Sequence, residues 1–122
     1  MRKQVLTIEQ MQTLKDKGFD ISNASVGSRF CDGIYHKYFK DDYIGEDVGN
    51  DMDFMTLQDI LEELPESIDG MKFTIEKKDN IWHIGYYIQK EVCIYFGGSD
   101  LLTEANNLLN WCIDNGHVKT SK

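Results

Sequence analysis

The stretch from 71 to 116 constrains the fold most, because strand-like patterns in it run directly into a helical one. Apolar and polar residues alternate over 71–76, which is the pattern of a half-buried strand. Asp79-Asn80 then suits a tight two-residue turn, because both residue types tolerate left-handed backbone. Further alternating runs over 81–88 and 92–96 predict a second and a third antiparallel strand.

An amphipathic helix is predicted directly after these strands. Ser99 or Asp100 can cap its start, and Asn115-Gly116 can end it with a left-handed residue. The apolar stripe recurs every three or four residues and comprises Leu101, Leu102, Ala105, Leu108, Leu109, Cys112 and Ile113. The polar residues expected to face water are Thr103, Glu104, Asn106, Asn107 and Asn110. One apolar helix face and one apolar sheet face, joined by a short link, should pack on each other.

Two shorter helices are predicted in the first half of the chain, each from a capping box. Thr7 with Gln10 opens the first helix, and Thr56 with Asp59 opens the second. Pro65 ends the second helix, because proline lacks the backbone N–H that a continuing helix needs.

The segment between these helices changes character twice. Residues 19–28 are rich in Ser, Asn and Gly, which predicts a loop. Residues 29–39 predict one strand, or two short strands broken at Asp32-Gly33. Residues 40–53 are acidic and lack periodicity, which predicts an exposed loop. The whole chain, 1–122, is therefore predicted to be a single α+β domain. We expect an antiparallel sheet of three to five strands, the C-terminal amphipathic helix packed on one face, and two shorter helices.

The net charge and the length of the apolar runs limit the classes of function that the chain can have. The formal net charge is -8, from 21 acidic and 13 basic residues, which argues against direct binding of nucleic acid. The same charge permits a protein partner that is basic, including a nucleic-acid-binding protein. No apolar run is long enough to span a bilayer, and no signal-peptide core follows Met1-Arg2-Lys3. We therefore expect a cytoplasmic protein with no membrane partner.

No motif assigns a catalytic residue, a cofactor or a metal. The glycines of the acidic segment do not match the calcium-loop template, although a cation site without a motif stays open there. Cysteines and histidines are scattered singly, whereas zinc sites need closely spaced ligands. Cys93 lies on a predicted strand beside that of His83, so a cysteine nucleophile is conceivable. Its apolar neighbours favour a structural, reduced cysteine, and whether the chain is an enzyme stays open.

The sheet face opposite the C-terminal helix is the best candidate for a binding surface. It would carry Ile81, His83, Tyr87, Cys93 and Tyr95, which is unusually apolar for a face in water. In one interpretation the N-terminal helix or the 29–39 strand covers it. In the other it is an exposed patch for binding or for homodimerisation, rich in the tyrosines that interfaces favour.

Several stretches together resemble a group of small uncharacterised proteins encoded in Bacteroidetes genomes, their phages and mobile elements. The stretches that carry the resemblance are 6–11, 56–61, Leu64-Pro65, Trp82 with Tyr86, and 111–113 before Asn115-Gly116. They are structural residues rather than active-site motifs, so the resemblance carries no catalytic residues over and implies only a bacterial or phage cytosolic setting.

The resulting functional expectation is a non-enzymatic, acidic protein-interaction module. In a phage setting it would bind and inhibit a host factor such as a defence nuclease. The expected partner-binding residues are Asp41, Asp42, Glu46, Asp47, Tyr87 and Tyr95. The alternative is a small ligand-binding domain or enzyme with a pocket near His83 and Tyr87.

Overall fold

The computed structural model describes residues 4–45, 48–88 and 91–120 of the chain. The helices in this part are α1 (Ile8–Asp16), α2 (Leu57–Glu63) and α3 (Leu101–Asp114), and a 3-10 turn spans Lys40–Tyr43. The strands are β1 (Val26–Cys31), β2 (Ile34–Phe39), β3 (Ser67–Ile68), β4 (Met71–Lys78), β5 (Ile81–Ile88) and β6 (Glu91–Gly98).

The strands form two antiparallel sheets. The main sheet has the order β3-β4-β5-β6, and β1 pairs with β2 in a separate hairpin. Helix α3 packs on β5 and β6. The predicted α+β architecture, with the C-terminal helix on one face of an antiparallel sheet, is therefore confirmed.

The predicted turns are present, but the loop predicted over 19–28 ends earlier than expected. Asp79 and Asn80 both have positive φ, 54° and 65°, as a two-residue hairpin between β4 and β5 requires. Asp32-Gly33 separates β1 from β2, so the region predicted as one or two strands contains two. However, β1 begins at Val26, inside the segment 19–28 that was expected to be a loop. Val26 belongs to the strand because it is buried and pairs with Phe39.

Both capping boxes form as predicted. Thr7 accepts a hydrogen bond from the backbone of Gln10 at 3.1 Å, and Thr56 accepts one from that of Asp59 at 3.1 Å. Helix α3 ends in a Schellman motif, in which Gly116 has φ 78° and the His117 N–H donates to the Cys112 carbonyl at 2.8 Å.

The core lies around α3. Buried side chains from both ends of the chain form one cluster, which includes Met11 and Leu14 of α1, Ile60 of α2 and Leu109 of α3. The expectation that Asn106 faces water is wrong, because its side chain is only 6% exposed. Helix α3 contacts α2 as well as the sheet, so its buried surface is wider than a one-sided stripe.

The acidic segment 40–53 is more ordered than its composition predicts. It begins with the 3-10 turn, and its end runs beside β1. The Ser28 N–H donates to Asn50 Oδ1 at 3.0 Å, and the Phe30 N–H donates to Asp51 Oδ2 at 2.7 Å. These side chains, together with the backbone N–H groups of Asp51 and Phe54, which donate to the carbonyls of Ser28 and Val26, occupy the outer edge of β1, where a further strand would otherwise pair.

Among the described helices, none has the length and apolar character that crossing a membrane requires.

Candidate functional site on the open sheet face

The face of the main sheet opposite α3, here called the open sheet face, is the best candidate site. Direct cross-strand neighbours share a face, so the register assigns its members. They are Lys72, Thr74, Glu76 and Lys78 of β4, Ile81, His83 and Tyr87 of β5, and Tyr95 of β6. Tyr95 is 46% exposed and Ile81 is 42% exposed. The interpretation that α1 or the 29–39 region covers this face is therefore wrong, because the face is exposed; a role of the face in binding or homodimerisation stays a prediction.

A shallow groove crosses the middle of the open sheet face. It has a volume of about 390 Å³ and is lined by Glu76, Lys78, His83, Tyr87 and Tyr95. The rings of His83 and Tyr95 stack with centroids 5.2 Å apart and planes 20° from parallel. A concave site near His83 and Tyr87, expected from the sequence as the alternative, therefore exists as a groove.

Two glycines shape this groove. The ring of Tyr95 lies where a side chain on Gly97 would be, so the missing Cβ lets the ring lean towards His83. At Gly85, which pairs with Tyr95, an added Cβ would collide with the backbone carbonyl of Ile94. The backbones of β5 and β6 therefore approach closely beneath the groove, next to a register shift after Tyr86.

The electrostatics of the groove are mixed. Burial raises the pKa of Tyr87, and the nearby Glu76 carboxylate and Tyr95 raise it further. The Tyr87 hydroxyl is consequently a neutral hydrogen-bond donor at physiological pH. Glu76 supplies an acceptor and Lys78 a positive charge on the same lining. Flat aromatic surfaces with polar groups at their edges suit the binding of side chains or rings.

The cysteine side chains that the structure describes do not line this groove. Cys112 is fully buried, and burial raises the pKa of its thiol to about 11, although interaction with Tyr86 lowers it. A thiol of that kind stays protonated and inert near neutral pH. The side chain of Cys93 lies outside the described part of the chain. The β5–β6 register pairs His83 with Gly97, four residues from Cys93, which separates their backbones by roughly 13 Å.

The acidic residues predicted to bind a partner lie apart from the tyrosines. Asp41 and Asp42 are exposed on the 3-10 turn that follows β2, whereas Tyr87 and Tyr95 belong to the main sheet. Glu46 and Asp47 lie outside the described residues. Within the described ranges, no three His, Cys, Asp or Glu side chains form a group that could hold a metal ion. The described partner-binding residues that the sequence predicted as one set therefore belong to two different parts of the fold.

A second exposed apolar patch lies at the tip of the β1–β2 hairpin, and the sequence pattern did not predict it. Phe30 and Ile34 are 54% and 60% exposed, and the ring of Phe30 contacts that of Tyr35 with centroids 4.8 Å apart. The turn at Asp32-Gly33 was the available signal, because residues beside a hairpin tip have few neighbours. Neither Phe30 nor Ile34 lines the groove of the open sheet face.

Comparison of the chain with protein-family models, with curated proteins and with solved structures found no match. Function therefore has to be inferred from the geometry and chemistry of the chain itself. In that geometry, the open sheet face combines exposure, a concave shape and an aromatic lining, whereas the hairpin tip is exposed and aromatic but does not line this groove.

Proposed function

We propose that the protein is a non-enzymatic interaction module that binds a protein partner through the open sheet face. The observation that carries this proposal is the exposed groove with stacked His83 and Tyr95 beside Tyr87. Solvated sheet faces are normally polar, and exposed apolar patches with a polar rim are typical of interaction sites. Tyrosine is enriched at protein interfaces, because it gives a large contact area and a hydrogen bond from few rotatable bonds.

The strands that hold these rings favour binding energetically. Tyr87 and Tyr95 stand on paired strands, so their backbones are already ordered before a partner arrives. Ordering flexible groups on association opposes binding, and a rigid platform reduces that cost. Tyrosines near the centre of such a platform are the residues expected to dominate the binding free energy.

The acidic surface contributes to the proposal at longer range. The formal net charge of -8 attracts a basic partner, and the exposed Asp41 and Asp42 lie on a surface separate from the groove. Separate charges of this kind act mainly on the rate of association. A basic protein, such as a nucleic-acid-binding protein, is accordingly the proposed partner class.

The biological setting of the proposal comes from the sequence resemblance. Similarity to proteins of Bacteroidetes phages and mobile elements favours a cytoplasmic protein that binds and inhibits a host factor. A defence nuclease would be both a host factor and a basic partner, because its substrate-binding surface is positively charged. This setting concerns the identity of the partner, while the binding surface is inferred from the groove.

The test is affinity capture from a host lysate with the wild-type protein and three single variants. Tyr87→Ala and Tyr95→Ala should each weaken capture at least about tenfold, since truncating a central interface tyrosine costs more than about 1 kcal/mol. Tyr43→Ala is the matched control, because Tyr43 is also an exposed tyrosine but lies on the 3-10 turn. Equal loss in all three variants, or capture that no groove variant affects, would show that another surface binds the partner.

A second candidate, binding of a small ligand, is favoured by the groove volume of about 390 Å³. That volume is within the range of small-molecule sites, although the groove is open rather than enclosed. The discriminating measurement is thermal unfolding in a metabolite library, because a ligand that binds the folded state raises the melting temperature. Stabilisation that disappears in Tyr87→Ala, with no captured protein, would replace the interaction module by a ligand-binding domain.

A further inference from the structure

The two edges of the main sheet are protected very differently. At one edge, β3 pairs with only the first two residues of β4, and the rest of β4 carries Glu76, Lys77 and Lys78, charges that oppose the addition of a strand. At the other edge, β6 has eight residues and pairs with β5 on one side only. Long, uncharged edge strands are the sites where a further strand adds. The edge of β1 is satisfied by side chains of the acidic segment, and β6 has no such cover among the described residues.

The register identifies which backbone groups of β6 point away from the sheet. The two-residue turn at Asp79-Asn80 makes Lys78 and Ile81 a hydrogen-bonded pair, and such pairs then alternate along the strands. The even-numbered residues of β5 consequently bond to β6, in the pairs 82–98, 84–96 and 86–94. The backbone N–H and C=O groups of Tyr95 and Gly97 therefore face outward.

We propose that β6 pairs antiparallel with β6 of a second copy of this chain, joining two main sheets into one of eight strands. The register that uses all the outward groups is centred on Phe96. In this register Tyr95 of each copy lies opposite Gly97 of the other copy, and the two pairs form four backbone hydrogen bonds across a two-fold axis. Each Tyr95 ring lies over Gly97 of its own copy, so the two Tyr95 rings would lie side by side across the seam.

The position of α3 fits this arrangement. Helix α3 packs on both β5 and β6, so its axis lies between these two strands. With strands about 4.8 Å apart, the two α3 helices would lie roughly two strand spacings from each other across the seam. That separation, roughly 10 Å, is close to the distance at which helices pack. Helix α2 is joined to β3 by three residues, which keeps its end near the opposite edge.

The charge distribution selects a second copy as the occupant. Two copies of a protein with net charge -8 repel each other, so they associate at least cost where charge is sparse. From Ile94 to Ile113 the chain has only two charged residues, Asp100 and Glu104. A basic partner strand would gain little at such a neutral edge, whereas a second copy finds a matching one.

The test measures mass against concentration for the wild type and two variants at Gly97. The interface is small, so we expect weak association, visible by sedimentation between about 1 and 500 µM. Mass should rise from 14.1 kDa towards twice that value in the wild type and in Gly97→Ala. Gly97→Pro should stay monomeric, because proline removes the outward N–H. Both variants displace the Tyr95 ring equally, so the alanine variant isolates the backbone hydrogen bond.

Amide hydrogen exchange gives a second measurement on the wild type, in case the proline variant does not fold. The exchange of the Tyr95 and Gly97 amides should slow at high protein concentration, while that of the already paired Phe96 amide should change less. A wild type that stays monomeric throughout, a Gly97→Pro variant that still dimerises, or exchange at Tyr95 and Gly97 independent of concentration would each overturn the proposal.

Discussion

At the scale of single residues, Asp59 connects α2 to the segment that leads into β1. Its carboxylate caps α2 by accepting from the Thr56 N–H at 2.9 Å. It also accepts from the Ser25 N–H at 2.8 Å and from the Ser25 hydroxyl, which fixes the chain just before β1. The sequence predicts the capping role from the spacing of Thr56 and Asp59. The bond to Ser25, 34 residues away, has no sequence signal.

Replacing Asp59 by asparagine should lower the free energy of unfolding by about 1–3 kcal/mol at pH 7, because the amide keeps one acceptor oxygen but loses the charge that strengthens the bonds from Thr56 and Ser25. Burial alone would raise the pKa of Asp59, but the hydrogen bonds from Ser25 and Thr56 outweigh it and lower the pKa. The folded-state pKa is below the unfolded one, so this stability is present above the unfolded value and is lost as pH falls through the folded value. Urea unfolding from pH 7 to pH 2 measures it.

Glu63→Gln on the same helix is the control, because its effect on the free energy of unfolding should have the opposite sign. Burial raises the pKa of Glu63, and the nearby carboxylates of Asp20, Glu62 and Asp59 raise it further. The charged form is therefore unfavourable in the folded protein, and its cost grows as pH rises through the raised pKa. We expect Glu63→Gln to be slightly more stable than the wild type at pH 7. A variant of Asp59 whose deficit at pH 2 equals that at pH 7 would contradict the assigned role.

At the scale of elements, the central pairing of β5 with β6 depends on Gly85. Replacing Gly85 by alanine should destabilise the protein by about 1–3 kcal/mol, since the new Cβ would meet the Ile94 carbonyl and the strand backbone must shift. Gly97→Ala is the matched control on the neighbouring strand, where the obstructing group is the end of the Tyr95 side chain. That side chain can rotate away, so we expect little loss of stability. Chemical denaturation of both variants makes the comparison, and equal losses would contradict it.

Elements with local signals were predictable, and those that depend on distant partners were not. The capping boxes, the Asp79-Asn80 turn and the alternation that places His83, Tyr87 and Tyr95 on one face can be read from neighbouring residues. Whether that face is covered depends on where α1 and the β1–β2 hairpin pack, which the local pattern does not determine. The burial of Asn106 has the same origin, because elements from distant parts of the chain, α2 among them, pack against α3.

At the scale of the whole molecule, one hydrophobic cluster connects the two sheets. Leu14 of α1 and Leu109 of α3 are both fully buried and belong to one hydrophobic cluster, although they are 95 residues apart. The cluster also contains Val26 of the hairpin and Ile84 of the main sheet. Because these side chains share one core, neither sheet can lose its packing without exposing the other.

Unfolding should therefore be a single cooperative transition. Leu14→Ala and Leu109→Ala should each lower the free energy of unfolding by about 3–5 kcal/mol, because each leaves a cavity in the same core. Trp fluorescence reports Trp82 on β5 and Trp111 on α3, and far-ultraviolet circular dichroism reports the secondary structure of the whole chain. Each variant should shift the unfolding transitions seen by these two methods by equal amounts. If Leu14→Ala moved the dichroism transition and left the fluorescence transition in place, α1 and the hairpin would form a unit separate from the main sheet. The open sheet face would then be a property of the main sheet and α3 alone, and a shorter chain could retain it.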